Sequence, residues 1–159
     1  MSSWFQLKVG FSAVGLVFLL CLFVPNILFA CQDTAWQQTM PEPVSLLIPE
    51  RVGQVLVCLL VLSDGRLQWP QALTARVWLM AAAGICMALY LAAWVRYFGS
   101  PAESTFYESF LGLPLPLATL PVAAAVLLGI YARSFWLVLA ACVFGYGHVG
   151  IHIWHAQQR

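Results

Sequence analysis

Trp94-Val95-Arg96-Tyr97-Phe98, then the loop from Gly99 to Gly112, then Leu113-Pro114-Leu115-Pro116, reads as the end of one membrane helix, a polar cap across its mouth, and the proline-marked start of the next helix. Amphipathic rings and a guanidinium at the end of an apolar run belong at headgroup level, where an apolar body and a polar tip are both satisfied. Proline suits a first helical turn because its missing N–H would be unpaired there anyway. The stretch therefore predicts an all-α fold, an integral membrane helix bundle, forming one domain over residues 1–159.

Composition supports that reading. Of 159 residues, 62% are hydrophobic and 8% charged, with a net charge of +1, whereas a soluble domain carries about 25% charged residues. With no clustered Lys or Arg, the chain lacks the means to bind nucleic acid or to anchor through a polybasic segment. The five cysteines include no Cys-x-x-Cys pair, which removes the signature of a membrane thiol oxidoreductase. Cys31, just past the first apolar run, is the one expected to be exposed.

Around the opening stretch, the hydrophobic runs give five expected crossings, or four if the second segment is re-entrant. Lys8 to Ala30 is long enough to cross. It exceeds a signal-peptide core, typically ~7–15 residues, so it reads as a retained helix although Leu28-Phe29-Ala30-Cys31 resembles a lipoprotein cleavage box. The polar residues Cys31 to Pro43, with Asp33, Trp36 and Glu42, read as an interfacial loop. Val44 to Leu62 is interrupted by Pro49-Glu50-Arg51. A proline followed by a carboxylate suits a first turn, so the helix is expected to start at Pro49, leaving a short clean run. Ser63-Asp64-Gly65-Arg66 is a turn. In the segment Ala75 to Phe98, Trp78 and Trp94 lie about 24 Å apart along a helix, the separation of two interfacial belts. Leu113 to Tyr131 is expected to bend near Pro121, Ala132-Arg133-Ser134 to form a tight hairpin, and Phe135 to about Trp154 to be the last helix.

Alternating crossings place Asn26, Glu50, Arg51, Arg96, Tyr97, Glu103, Glu108, His148, His152 and His155 on one side, and Lys8, Asp64, Arg66, Arg76 and Arg133 on the other. Lys and Arg number four on the amino-terminal side against three, counting Arg159, on the other. The excess leans toward a cytoplasmic amino terminus, with both acid-bearing loops outside.

Charges inside a membrane normally face the bundle and pair, so Glu50 and Arg51 are expected beside Arg96. Asn26, Glu50, Arg51, Arg96, Tyr97 and His148 are the expected ligand-binding set of a polar vestibule. No catalytic residue is assigned; Glu50, His148 and Glu108 are the candidates for acid–base work. His148, His152 and His155 share a helix face by their i, i+4, i+7 spacing and are the only residues that would offer a metal site. Metal binding is not expected, nor is any cofactor, since a haem between two helices would need a homodimer or another axial ligand. Gly145-Tyr146-Gly147-His148-Val149-Gly150 lies late in an apolar helix and reads as close helix packing rather than a phosphate loop.

Val24-Pro25-Asn26, Glu50-Arg51-Val52-Gly53-Gln54, Trp94-Val95-Arg96-Tyr97-Phe98, Leu113-Pro114-Leu115-Pro116-Leu117-Ala118 through Pro121, and Gly147-His148 together resemble a family of small multi-pass bacterial membrane proteins to which no activity is assigned. Pro49 departs from the leucine expected there before Glu-Arg. The resemblance implies a multi-pass protein of the bacterial cytoplasmic (inner) membrane and no mechanism. The function expected is thus a non-enzymatic bundle whose vestibule binds a lipid-like ligand or a partner subunit, with membrane lipid and a second copy or another membrane protein as partners. The alternatives are a small membrane enzyme doing acid–base chemistry on a lipid-like substrate and an immunity or accessory protein.

Overall fold

The computed structural model describes residues 4–32, 41–72 and 74–158; Asp33 and Trp36 of the expected interfacial loop, and Arg159 of the charge count, lie outside them. Among the described residues are six helices, α1 (Ala13–Ala30), α2 (Val44–Ser63), α3 (Val77–Gly99), α4 (Glu103–Tyr107), α5 (Pro116–Tyr131) and α6 (Phe135–Gln157). α1, α2, α3 and α6 have 18 to 23 residues and are apolar enough to cross a membrane, reaching about 27–35 Å against a hydrocarbon core of ~30 Å. α5 is apolar but has 16 residues, about 24 Å.

Three helix starts differ from the sequence expectation. α2 begins at Val44 rather than Pro49, so the segment is a 20-residue helix with Pro49 inside it. Pro43 caps it in extended conformation, and its carbonyl accepts from the N–H groups of Leu46 and Leu47. Pro49 leaves the Ser45 carbonyl without its helical donor, yet packing of Leu46 against Gly147 and Gly150 of α6 carries the helix back through the extra turn. α1 begins at Ala13 because Ser12 caps it. The Ser12 hydroxyl accepts from the Gly15 N–H at 2.8 Å and donates to the Leu67 carbonyl at 2.6 Å, while the Gly10 and Ser12 N–H groups pair with Ser63 and Leu62. α5 begins at Pro116, after a turn in which Phe110 and Leu113 exchange backbone hydrogen bonds and Leu111, Gly112 and Leu115 are left-handed. The Gly99–Gly112 loop is more than a polar cap, since it folds α4 and buries Phe106.

α2 packs antiparallel and closely on α6, α5 lies between α3 and α6, and α1 touches α2 and α3 more lightly. Small residues set the close approaches, as expected where lipid removes the hydrophobic drive between helices. A Cβ at Gly147 would fall on the Glu50 backbone nitrogen, one at Gly53 on the Phe144 backbone, and one at Gly15 on the Val61 carbonyl. Outward faces stay apolar, with Leu20, Ile27, Val55, Leu59, Ile85 and Val95 all exposed, as a lipid-facing surface requires.

The ends divide as alternate counting predicts. At one end lie Phe29, Glu50, Arg96, Tyr97, α4 and His152; at the other, the Val9–Asp64 bridge, Arg66, Tyr131 and the 132–134 hairpin. At this second end Asp64 is buried and bound by Arg66 through Nε at 2.9 Å, Nη2 at 2.7 Å and the backbone N–H at 3.1 Å. Arg66 Nη1 donates to the Arg133 carbonyl, tying the α2–α3 loop to the α5–α6 hairpin. Burial pushes the Asp64 carboxyl up, but Arg66 and the nearby Ser134 hydroxyl, which lies outside hydrogen-bond geometry, outweigh it and hold the acid below its ordinary value.

Gly147→Val should destabilise the bundle by about 3 kcal/mol through overpacking, whereas Gly84→Ala, whose Cβ would meet open space, should leave it unchanged or slightly firmer; thermal unfolding in detergent compares them. Because the folded pKa of Asp64 lies below its unfolded value of about 3.9, its contribution is complete above that pH and is lost as pH falls through the folded value. Asp64→Ala should cost about 3 kcal/mol at neutral pH by stranding Arg66, and unfolding midpoints of wild type and variant should converge below pH ~4.

Candidate functional site

α2 and α6 build the centre of the candidate site. With Gly147 against the start of the Glu50 turn, residues 50 and 148 face each other, and Glu50 Oε1 lies 2.9 Å from His148 Nδ1. Both side chains are largely withdrawn from solvent, at 12% and 19% exposure, so the contact satisfies a carboxylate that would otherwise be stranded at membrane depth. Arg51 approaches Glu50 Oε2 loosely, at 3.7 Å, from a mostly exposed position. About two helical turns further out the pattern repeats, with His155 Nε2 at 3.2 Å from Glu42 Oε1. Two acid–imidazole contacts thus clamp α6 to α2 and its lead-in.

Between them stands His152. Its ring stacks on Phe106 of α4 at 5.6 Å and meets His148 edge to face at 4.8 Å, and Tyr107 leans on both His152 and His155. Phe106 in turn stacks on Phe29 at 5.0 Å, which joins the end of α1 to the same cluster. The residues enclose an open groove of about 270 Å³ whose walls include Phe29, Glu42, Glu50, Phe106, His152 and His155. Glu50 is a groove wall and His148 is not, so the carboxylate is the member of the pair that an occupant meets.

Other expected members are elsewhere. Arg96 does not pair with Glu50: its Nη2 lies 2.8 Å from Glu108 Oε2, its Nη1 donates to the Ser109 carbonyl, and its guanidinium sits over the Phe110 ring. The nearer carboxylate, twelve residues along the same polypeptide and brought back by α4, captures it. Glu108 is thereby an exposed partner of Arg96, apart from the groove. Asn26 donates to the Tyr90 hydroxyl at 2.7 Å and to the Leu22 carbonyl at 2.6 Å, locking α1 to α3. Tyr97 is fully buried among Phe29, Trp94, Phe98 and Phe106, its hydroxyl donating to Gln32 at 3.4 Å. The three histidines do share a face, but His148 and His155 are each engaged by a different carboxylate, and among the described residues no three His, Cys, Asp or Glu side chains converge on a metal position. All five cysteines are free; Cys31 is exposed as expected, but so is Cys142, which lies on the outward face of α6, and Cys21, Cys58 and Cys86 are half-buried.

Sequence reasoning missed Glu42, Phe29, Phe106 and Tyr107. Glu42 is 113 positions from its partner His155, and only the alternating count of crossings could have put them at one end. The aromatic residues of α4 carried no signal, because a five-residue helix has too few turns to show a period.

By helix length and hydropathy this is a multi-pass membrane protein. No protein-family model matches the chain, and neither a curated protein nor a solved structure does. The likeness to a bacterial family read from its short motifs is therefore supported only as far as four long apolar helices of a multi-pass protein.

Proposed function

We propose that the bundle crosses the bacterial cytoplasmic membrane five times, with α5 as the short fifth span, and that it works by binding rather than by catalysis. The groove between the start of α2, the end of α6 and α4 takes the polar head of a lipid-like amphipathic ligand. The observation that carries this reading is the groove itself, which has apolar aromatic walls and two carboxylates, each held by an imidazole. Sites for small ligands combine that kind of apolar lining with a few placed polar groups. Glu42 and Glu50 would accept hydrogen bonds from a hydroxyl or ammonium head, and Phe29 and Phe106 would cover the first carbons of its tail.

A second reading draws on the Glu50–His148 pair alone. A carboxylate on a groove wall, backed by an imidazole at 2.9 Å, is an arrangement that can take and pass on a proton. In that case Glu50 would be the base and His148 the group sharing the proton with it. The groove is open to its surroundings, which favours binding over chemistry that needs water excluded.

The full-length protein, purified in detergent, should carry a co-purifying amphiphile detectable in its organic extract by mass spectrometry. Charge-assisted hydrogen bonds contribute about 1.5–3 kcal/mol each, so the Glu42→Gln/Glu50→Gln double variant should retain at least about tenfold less of it. Equal retention would exclude the groove as its site. For the crossings, single cysteines replacing Glu50, Arg96 and Glu108 should all react with an impermeant thiol reagent from one side of the membrane, and one replacing Arg66 only from the other; labelling of Glu50 and Arg66 positions from the same side would remove the α2 crossing.

A further inference from the structure

The opposite end carries a second cavity that the reading above does not use. It measures about 370 Å³ and is walled by Arg66, Gln68, Trp69, Arg76, Tyr131 and Arg133. Arg66 is engaged by Asp64, but the guanidiniums of Arg76 and Arg133 have no hydrogen bond or ion pair with a described residue. Among the described residues this end holds Lys8, Arg66, Arg76 and Arg133 against the single carboxylate Asp64, while the groove end holds Arg51 and Arg96 against Glu42, Glu50, Glu103 and Glu108. Clustered cations at the mouth of a helix bundle raise the local concentration of anions and favour phosphate-bearing headgroups.

Arg133 adds an observation of a different kind. It occupies the left-handed position of the α5–α6 hairpin, with φ at 52°. That conformation crowds any residue with a Cβ, and glycine is the usual occupant after a helix end. An arginine there faces the cavity in spite of the backbone it must adopt.

Directly beside this cavity, and sharing Trp69 with it, runs an apolar cleft of about 120 Å³ between α1 and α3. Val14, Phe18, Cys21, Met80, Gly84 and Met87 line it. At Gly84 a Cβ would meet nothing within 4 Å, so the missing side chain leaves the cleft open rather than serving helix contact. A cationic chamber at the headgroup level joined to an apolar slot along the helices has the form of a phospholipid, head and tail.

We propose that this end of the bundle holds one anionic phospholipid, its phosphate between Arg76 and Arg133 and one acyl chain in the cleft between α1 and α3. Arg133 and Arg76 select the charge, Trp69 lies at the glycerol level where its ring faces both cavities, and Gly84 makes room for the chain. This site is separate from the groove at Glu50.

The test uses full-length protein in detergent and native mass spectrometry with dioleoyl phosphatidylglycerol, dioleoyl phosphatidylethanolamine and glycerol phosphate. Each guanidinium near a headgroup gives about a fivefold preference, so phosphatidylglycerol should bind about 30-fold more tightly than phosphatidylethanolamine. Arg76→Gln/Arg133→Gly should abolish that preference. Because glycine relieves the left-handed position, the Arg133→Gly change should not lower the unfolding temperature measured without lipid, which separates lost binding from lost folding. Gly84→Leu should weaken both phospholipids, and Glu50→Gln neither. Equal affinity for the two lipids, or a preference that survives in the arginine variant, would overturn the proposal. So would glycerol phosphate binding as tightly as phosphatidylglycerol with Gly84→Leu having no effect, which would make the occupant a soluble anion.

Discussion

The close antiparallel seam between α2 and α6 is the constraint on which the site depends. In lipid, apolar side chains gain nothing by leaving the bilayer for one another, so helices hold together through fitted contact and through polar groups that need partners. Gly53 and Gly147 provide the first and the Glu50–His148 contact the second. Each requires the other. Only with the two backbones in contact can a short carboxylate reach an imidazole across the seam, and only with that imidazole present is a carboxylate tolerated at that depth. The Glu42–His155 contact then continues the seam outward to where the chain enters α2.

Once the seam is in place, the other features of that end become a covering for it. α4 inserts Phe106 between Phe29 and His152, so one side chain bridges the end of α1 and the end of α6. Arg96 holds the far side of the same loop through Glu108 and Ser109. The ion pair is exposed and, on its own, contributes under about 1 kcal/mol. Its effect is positional, since it returns the loop to α3 and so delivers Phe106 to its place.

Much of this could be read from the residues, and what could not has physical causes. The hairpin at Ala132-Arg133-Ser134 and the assignment of charges to two ends rest on periodicity and alternation, which the bilayer enforces, and they match the structure. Of the two expected belt residues Trp78 is exposed, but Trp94 is buried among Tyr90, Tyr97, Phe98 and Phe106, because the aromatic cluster beneath α4 encloses it. The structure starts α2 earlier than the residues suggest because the preference of proline and glutamate for a first turn is weak beside the packing of Leu46 against Gly147 and Gly150 of α6. α1 was drawn too long because nothing in Lys8-Val9-Gly10-Phe11 announces that it pairs with the turn after α2. Arg96 was given the wrong acid because alternation fixes the end of the membrane at which a charge lies, not which of several carboxylates there reaches it. Glu50 and His148 could be nominated as unusual, but their contact depends on the rotation of two helices, which no local pattern encodes.

The arrangement of α1 explains why there are cavities at two levels rather than a filled bundle. α1 is tied at its start, where Ser12 reaches Leu67 and Gly15 lies on Val61, again at Asn26 with Tyr90, and at its end, where Phe29 enters the Trp94–Tyr97 cluster. Between the first tie and the second its inward residues, Val14, Phe18 and Cys21, face α3 across the apolar cleft, and beyond the last tie Phe29 and Ala30 become a wall of the acid-lined groove. Three fixed points along a helix of about 27 Å hold it upright without drawing it fully against its neighbours. The gaps are therefore built into the way α1 is attached, and a helix held in this manner can border two occupied sites without losing its place in the bundle.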